Sequence, residues 1–254
     1  MKEYVYYPAK FGLRFSGGNI FKAIFLSIKN VFCLVYWNLF GEKEFKFILN
    51  FNSVNFDYYA NEIIDLHVLG EIFLDKSYDY DFGFSPKVML DIGANIGVSC
   101  IYFKLKYPNI VIHALEPNIR LNGRFNKNTS NFDGIFLYNV AITSASGPVH
   151  LIIGNNHLSA KISDEKNQSK RNTVPGCSIM DFMDSLKLGS VDIIKCDAEG
   201  AEEYLLGYGS LSDICKFFVC EIHPELINIG NLDINNIDMD SFSKQKRSMY
   251  FKAF

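Results

Sequence analysis

The pattern of apolar and polar positions divides the chain near residue 87. Beyond Lys87, short apolar runs alternate with stretches at helical spacing. Val88 to Asp91 reads as a buried strand, and Asn95 to Tyr107 as a helix that Pro108 stops. Ile110 to Glu116 is the next strand, Arg120 to Asn128 a helix, and Ile135 to Ile142 a third strand. Gly147-Pro148 opens a β-like piece over Val149 to Ile153, and Asn155 to Pro175 is polar enough to predict a loop over the site. Ser178 to Leu186 is a short helical link. Val191 to Cys196 and Phe217 to Glu221 are strands on either side of a helix over Ala201 to Leu206. Strands alternating with helices predict an α/β fold with a doubly wound, mostly parallel sheet. The short tail after His223 is rich in Asn and Asp, and Met249 to Phe254 is expected as one last strand.

Residues 1–86 show a different pattern and are expected to form an N-terminal helical and strand extension to a main domain at 87–254. Phe45 to Phe51 and Val54 to Phe56 read as strands, Ala60 to Leu69 as a helix, and Tyr78 to Pro86 as a loop. The most apolar part is Ile20 to Phe40, interrupted by Lys22, Ser27, Lys29, Asn30 and Asn38. Those interruptions make it a poor spanning helix. Phe21, Phe25, Ile28, Phe32, Tyr36 and Leu39 recur at helical spacing, so one stripe is expected to pack on the body of the protein. Contact of residues 20–40 with an anionic membrane face is the second placement left open, since Lys10, Arg14, Lys22 and Lys29 stand nearby.

Composition changes this picture in three ways. A net charge of -3 and a pI near 6.0 give no basic field for nucleic acid. The six cysteines form no C-x-x-C pair, which predicts buried thiols in a reducing, cytoplasmic setting rather than disulfides or a zinc site. Met1 to Ser16 lacks the compact apolar core of a secretory signal.

The candidate chemistry gathers at strand ends. Asp91, Glu116, Asn139, Asp197 and Glu221 each close a strand, and in a parallel sheet those ends share one edge. Asp91 is followed by a turn with Gly93, Asn95 and Gly97, where a ligand can approach the backbone and a helix start is expected to offer N–H groups. The turn lacks the third glycine of the dinucleotide fingerprint, which makes room for a pyrophosphate. A ligand with a ribose and an amino-acid tail but no phosphate fits better, and S-adenosylmethionine is such a ligand. Glu116, about 20 residues beyond the turn, is placed to accept hydrogen bonds from ribose hydroxyls. Asp91 is expected to hold the ligand's ammonium group through a water or a neighbouring amide.

A sulfonium ligand of that kind gives up its methyl group, and in-line transfer needs acceptor, methyl and sulfur aligned and a base wherever the acceptor carries a proton. Asp197 and His223 are the candidate bases, with Glu199 and Glu221 orienting the acceptor. Glu202 reads instead as an acid favoured at a helix N-terminus. Lys195 lies in a strand expected to be covered on both faces, and pairing with a site carboxylate is preferred for its charge over escape to the sheet edge. Asp197, Glu199 and Glu221 are also hard donors that a divalent metal accepts, an assignment not favoured.

Three segments carry a family resemblance: Asp91-Ile92-Gly93-Ala94-Asn95-Ile96-Gly97, Ala114-Leu115-Glu116-Pro117-Asn118, and Ile194-Lys195-Cys196-Asp197-Ala198-Glu199-Gly200-Ala201-Glu202. Two fainter pieces are Asn139-Val140-Ala141 and Glu221-Ile222-His223-Pro224. From about Lys87 to Glu225 the chain resembles the FkbM-type S-adenosylmethionine-dependent methyltransferases. The resemblance implies the class I methyltransferase fold, a cofactor site built from Asp91, Gly93, Ala94, Asn95, Gly97, Glu116, Pro117, Asn118, Asn139 and Ala141, and O-methylation of a sugar, glycan or related small molecule. Cys196 and Ala198 stand where the family often has Val or Ile. The competing functions are a nicotinamide-dependent oxidoreductase and a non-catalytic membrane-surface binder.

Overall fold

The computed structural model describes residues 2–154, 160–163, 171–198, 200–206, 211–221 and 248–252. The chain begins with two helices, α1 (Lys2–Phe15) and α2 (Ile20–Phe40), and a hairpin, β1 (Phe45–Phe51) and β2 (Val54–Ala60). The hairpin turns at Asn52 and Ser53, both with positive φ, which suits the right-handed twist of its antiparallel strands. Helix α3 (Ile63–Phe73) follows. The main body then runs β3 (Val88–Ile92), α4 (Val98–Lys106), β4 (Val111–Leu115), a 3₁₀ turn at Ile119–Leu121, α5 (Asn122–Thr129) and β5 (Ile135–Tyr138). Next come β6 (Ala141–Ile142), β7 (Gly147–Ile153), β8 (Ala160–Ser163), β9 (Arg171–Cys177) and α6 (Ile179–Ser185). The chain closes with β10 (Val191–Cys196), α7 (Glu202–Leu206), α8 (Leu211–Ile214), β11 (Cys215–Glu221) and β12 (Ser248–Lys252).

The central sheet has six strands in the order β12-β11-β10-β3-β4-β5. The five strands from β11 to β5 pair in parallel, and β12 pairs antiparallel with β11. The expected last strand is therefore present and caps the β11 edge. Strand β3 lies between β4 and β10, so the order reverses there. In open α/β sheets a ligand crevice opens at the carboxyl ends of such strands.

Side chains on successive strand positions face opposite layers. Met89, Ile112, Ile193 and Phe217 join a core with Phe11, Phe15, Phe47 and Phe73, so the N-terminal extension covers one face of the sheet. Leu90, Leu115, Ile194 and Phe218 face the other way, toward α6, α7 and α8. One apolar core thus runs through both the extension and the main domain.

Four expectations need correction. The strand expected over Ile135 to Ile142 divides at Asn139. Its amide donates to the Glu116 carbonyl, and the chain leaves the central sheet there. Ala141–Ile142 pairs instead with β9, in a second sheet of order β6-β9-β7-β8. The excursion expected over Asn155 to Pro175 contains β8 and most of β9; residues 155–159 and 164–170 lie outside the described set. The polar pattern concealed β9 because only one of its faces is covered, where Val174 joins Leu151 and Ala141. Lys2–Phe15 forms a helix that the mixed aromatic and charged pattern hid. It crosses α2 closely at Gly12, where a Cβ would stand 2.2 Å from the Ala23 carbonyl.

The fourth correction concerns α2. It packs on the body as expected, but through Ala23, Leu26, Asn30, Cys33 and Trp37. The aromatic stripe expected to be buried faces outward: Phe21 is 81% exposed, Phe25 62% and Phe32 56%.

Candidate functional site

The turn after β3 is shaped by contact with its neighbour. Gly93 has a φ of +77°, and a Cβ there would lie 1.8 Å from the backbone oxygen of Asp197. Only glycine lets the ends of β3 and β10 come this close. Asn95 also has positive φ, at 50°, a conformation its short polar side chain tolerates. Gly97, at +88°, has a second job: a Cβ would sit 2.8 Å from Thr129 and 3.2 Å from Phe125. Its absent side chain seats α4 against α5, so Gly97 serves packing more than ligand contact.

The turn before α4 keeps its own N–H groups within the protein. Gly93 and Ala94 both donate to the Leu115 carbonyl, at 3.0 and 3.1 Å, and Gly97 donates to Ala94. The Asn95 N–H donates to Glu116 Oε2 at 2.9 Å, and the Ile96 N–H to the Asn95 side chain at 2.7 Å. These five donors are engaged within the protein. A phosphate site needs such donors to point outward. The turn therefore suits a ligand without phosphate, in agreement with its missing third glycine.

Asp91 faces away from the crevice. It is fully buried, on the sheet face that the N-terminal extension covers. Its strand neighbour in register is Lys195, and Lys195 Nζ lies 3.0 Å from Asp91 Oδ1. Ser99 donates to the second carboxylate oxygen, and Cys100 Sγ stands 3.2 Å from it. Lys195 also donates to the Gly93 carbonyl at 3.0 Å and comes within 3.9 Å of Asp197. Burial opposes the charge on Lys195, yet Asp91 first, with Tyr78 and Asp197, holds its ammonium above the ordinary lysine value. The buried Tyr78 ring, from the loop before β3, lies 5.9 Å from that ammonium. The expected pairing of Lys195 with a site carboxylate is thus what the structure shows. Asp91 acts on the turn from behind, through Lys195, and does not reach the crevice.

Glu116 closes β4 and is 6% exposed. Besides holding Asn95, its carboxylate accepts the Asn118 N–H at 2.8 Å. One side chain thereby fixes two loops. Asn118, also buried, caps the 3₁₀ turn by accepting the Arg120 N–H at 3.2 Å. Asn139 and Asn122 exchange two amide hydrogen bonds of 2.8 Å, which aligns the end of β5 with α5.

Between these ends lies a small cleft of about 30 Å³, lined by Ile92, Gly93, Leu115, Pro117, Val140, Ala141, Ile142, Leu151, Ala198 and Ala201. Three of the expected cofactor residues, Gly93, Pro117 and Ala141, form its wall; Glu116, Asn118 and Asn139 hold that wall in place. Ile92, Leu115, Val140, Ala198 and Ala201 stand within the motif segments without having been named as site residues, and sequence reasoning missed Ile142 and Leu151 outright. Ile142 directly follows the motif that ends at Ala141, so its position was available as a signal. Leu151 arrives from the second sheet and carried none.

Of the catalytic candidates, Asp197 follows β10 with its side chain 34% exposed, and Glu221 ends β11 half-buried. Neighbouring strand ends therefore carry both carboxylates. Glu199 and His223 lie outside the described residues. Glu202 begins α7 as expected and accepts the Gly200 N–H, while being wholly buried. Among the described residues no group of three acids, histidines or cysteines could hold a metal. The cysteines are thiols, all buried except half-buried Cys177, and burial pushes Cys215 up to about 12.

The crevice lies at the carboxyl ends of the strands where the sheet order reverses, the ligand position of an open α/β sheet. The sequence model of the FkbM methyltransferase domain matches residues 91–244. The chain belongs to that family of S-adenosylmethionine-dependent methyltransferases, and its sheet is the class I methyltransferase sheet. A curated relative, Methyltransferase 1 of Beauveria bassiana (strain ARSEF 2860), is 28% identical over 173 residues, covering 58% of this chain and 70% of the relative. Among solved structures, the fibrillarin pre-rRNA processing protein of Methanococcus jannaschii aligns over 85% of this chain and 84% of its own, at 11% identity and a TM-score of 0.44. The precorrin-6y C5,15-methyltransferase of Geobacter metallireducens GS-15 aligns over 57% of each chain, at 16% identity and a TM-score of 0.33. This chain spans less than two thirds of the latter protein's length.

Proposed function

We propose that the protein methylates a hydroxyl oxygen of a sugar, glycan or related small molecule. The carrying observation is the pairing of a donor-depleted turn with a strand-end carboxylate beside an apolar cleft. That set fits S-adenosylmethionine: Glu116 for the ribose hydroxyls, the wall of Leu115, Val140, Ala141 and Ala198 for the adenine, and the Gly93 turn for the amino-acid tail. The cofactor supplies, when bound, a methyl group already activated for transfer. Gly93 allows the backbone to come close, and Lys195 fixes the Gly93 carbonyl. The apolar wall excludes water from the reacting atoms.

Asp197, partly exposed beside Gly93, takes the acceptor's hydroxyl proton, and Glu221 orients the acceptor from the next strand end. His223 is the other candidate base and Glu199 a further orienting group. Asp197→Ala is expected to lower kcat by about a hundredfold or more, the usual share of a positioned base, with cofactor affinity unchanged. The measurement is turnover against sugars, nucleotide sugars and glycolipids, with mass spectrometry of the products. Loss of activity in His223→Ala but not Asp197→Ala would move the base to His223. Full activity after exhaustive chelation is expected, because the proposed chemistry needs no metal.

A further inference from the structure

The outer face of α2 is apolar without a break where water would be its neighbour. Ile20, Phe21, Ile24, Phe25, Ile28, Val31, Phe32, Val35 and Leu39 are each between 45% and 81% exposed. At the helical turn angle they fall within an arc of about 140°. The helix's polar residues lie elsewhere: Asn30 is buried, Lys22, Ser27 and Lys29 are half-buried, and Asn38 stands at the edge of the arc. The arrangement inverts the ordinary surface helix, which turns its apolar stripe inward.

We propose that this face seats the protein on an anionic lipid bilayer, with α2 lying in the plane of the interface. The inference goes beyond the catalytic proposal and does not depend on it. Three observations select lipid as the occupant. The arc offers no hydrogen-bonding side chain except Asn38 at its edge, whereas protein interfaces carry about one hydrogen bond per 100–200 Å² and a polar rim. The only charged residues of α2 are Lys22 and Lys29, both on one flank of the arc, and the helix has no acid to repel anionic headgroups. Lys43 adds a third cation on that flank, 5.0 Å over the Tyr36 ring; it stands between the exposed acids Glu42 and Glu44, of which Glu44 is paired with Lys127.

Seating in the plane follows from what holds the other side. Helix α2 has 21 residues and a most apolar stretch of mean hydropathy 1.5, so despite its polar interruptions it is long and apolar enough to cross a membrane, contrary to the expectation from its sequence; 28% of that stretch is buried. Those buried residues are its anchors. Leu26, Cys33 and Trp37 belong to the common core, and Trp37 Nε1 donates to the Lys43 carbonyl at 2.8 Å. A spanning pose would strip all of these contacts; lying flat keeps them and buries the exposed arc.

The test is flotation of the full chain with vesicles of phosphatidylcholine alone and of phosphatidylcholine mixed equally with phosphatidylglycerol. The wild-type protein is expected to float with the mixed vesicles. Phe25→Ser/Phe32→Ser should lose on the order of a hundredfold in partitioning, and Lys22→Glu about tenfold. Binding of S-adenosylhomocysteine and the thermal transition of each variant serve as controls for folding and are expected to match the wild type. Wild-type protein that stays with neither vesicle overturns the proposal. So does a concentration-dependent dimer, seen by sedimentation, that the Phe25→Ser/Phe32→Ser change dissolves, because the occupant would then be a second copy.

Discussion

The carboxyl edge of the central sheet and the outer face of α2 break the same rule in opposite directions. At the sheet edge, charge is inside: Asp91, Lys195, Glu116 and Glu202 are all buried. On α2, large apolar side chains are outside. The buried charges each have named partners: Lys195, paired with Asp91, and Glu116 hold the turn that shapes the crevice, and Glu202 holds the Gly200 N–H after β10. The exposed apolar residues touch the fold only at the margin, as where the Phe32 ring meets Phe45 edge-on at 5.9 Å, and leave most of their surface open. Burial without a partner is costly for charge, whereas exposure of apolar surface is tolerated until something covers it. The first departure is therefore spent on rigidity within the molecule, and the second points outward to a contact.

Substitutions in the two regions should accordingly differ in size. The largest effect is expected at Gly93. Alanine there combines positive φ with a Cβ set against the Asp197 backbone, so neighbouring strand ends must part. Gly93→Ala should cost about 3 kcal/mol of stability or more, seen in urea unfolding, and should abolish binding of S-adenosylhomocysteine. Next comes Lys195→Met, which leaves Asp91 buried and unpaired, at about 3–5 kcal/mol. The double variant Asp91→Asn/Lys195→Met should recover most of that loss. A double variant no better than the single one would show that Lys195 acts by packing rather than charge.

A smaller effect is expected where the loop preceding β3 is tied down. Asp79 meets Lys106 at 2.8 Å and Lys76 at 3.2 Å. Lys106 foremost, against the opposing effect of burial and with help from Lys76 and Tyr102, holds the Asp79 carboxyl down from 3.8 to about 2. A depressed folded value means that the stabilisation is complete above about pH 4 and is lost as pH falls toward 2. The carboxylate is about a third exposed, so solvent screening limits the pair to under about 1 kcal/mol. The difference in stability between wild type and Asp79→Asn should therefore shrink over that window in an acid titration. The smallest effect belongs to the α2 face: Phe25→Ser/Phe32→Ser should change stability in solution by no more than about 0.5 kcal/mol per site, since exposed positions carry little folding energy.

The same contrast explains what could be read from the chain. Strands Val88–Ile92 and Val191–Cys196 were legible because parallel strands covered on both faces give unbroken apolar runs. Gly93 and Glu116 were legible because turn and strand-end chemistry is local. The burial of Asp91 was not, because it depends on a register partner in another strand, Lys195, and on cover from Tyr78. The direction of α2 was hidden for a related reason. Both of its faces are apolar, and periodicity locates a stripe without saying which stripe meets the core. Ala23 and Cys33, small enough for close approach to the body, were the available clue. The second sheet gave little signal because β7 and β9 each have one open face.

The central claim is that a phosphate-free adenosyl ligand lies against the ends of β3 and β4, its ribose held by Glu116. Calorimetric titration with S-adenosylhomocysteine, run beside the reduced nicotinamide dinucleotide, tests it most directly. Saturable heat is expected for the first ligand and none for the second, and Glu116→Gln should weaken the first by about tenfold to a hundredfold, the worth of a charge-assisted hydrogen bond. No heat with S-adenosylhomocysteine, or undiminished affinity in Glu116→Gln, would contradict it.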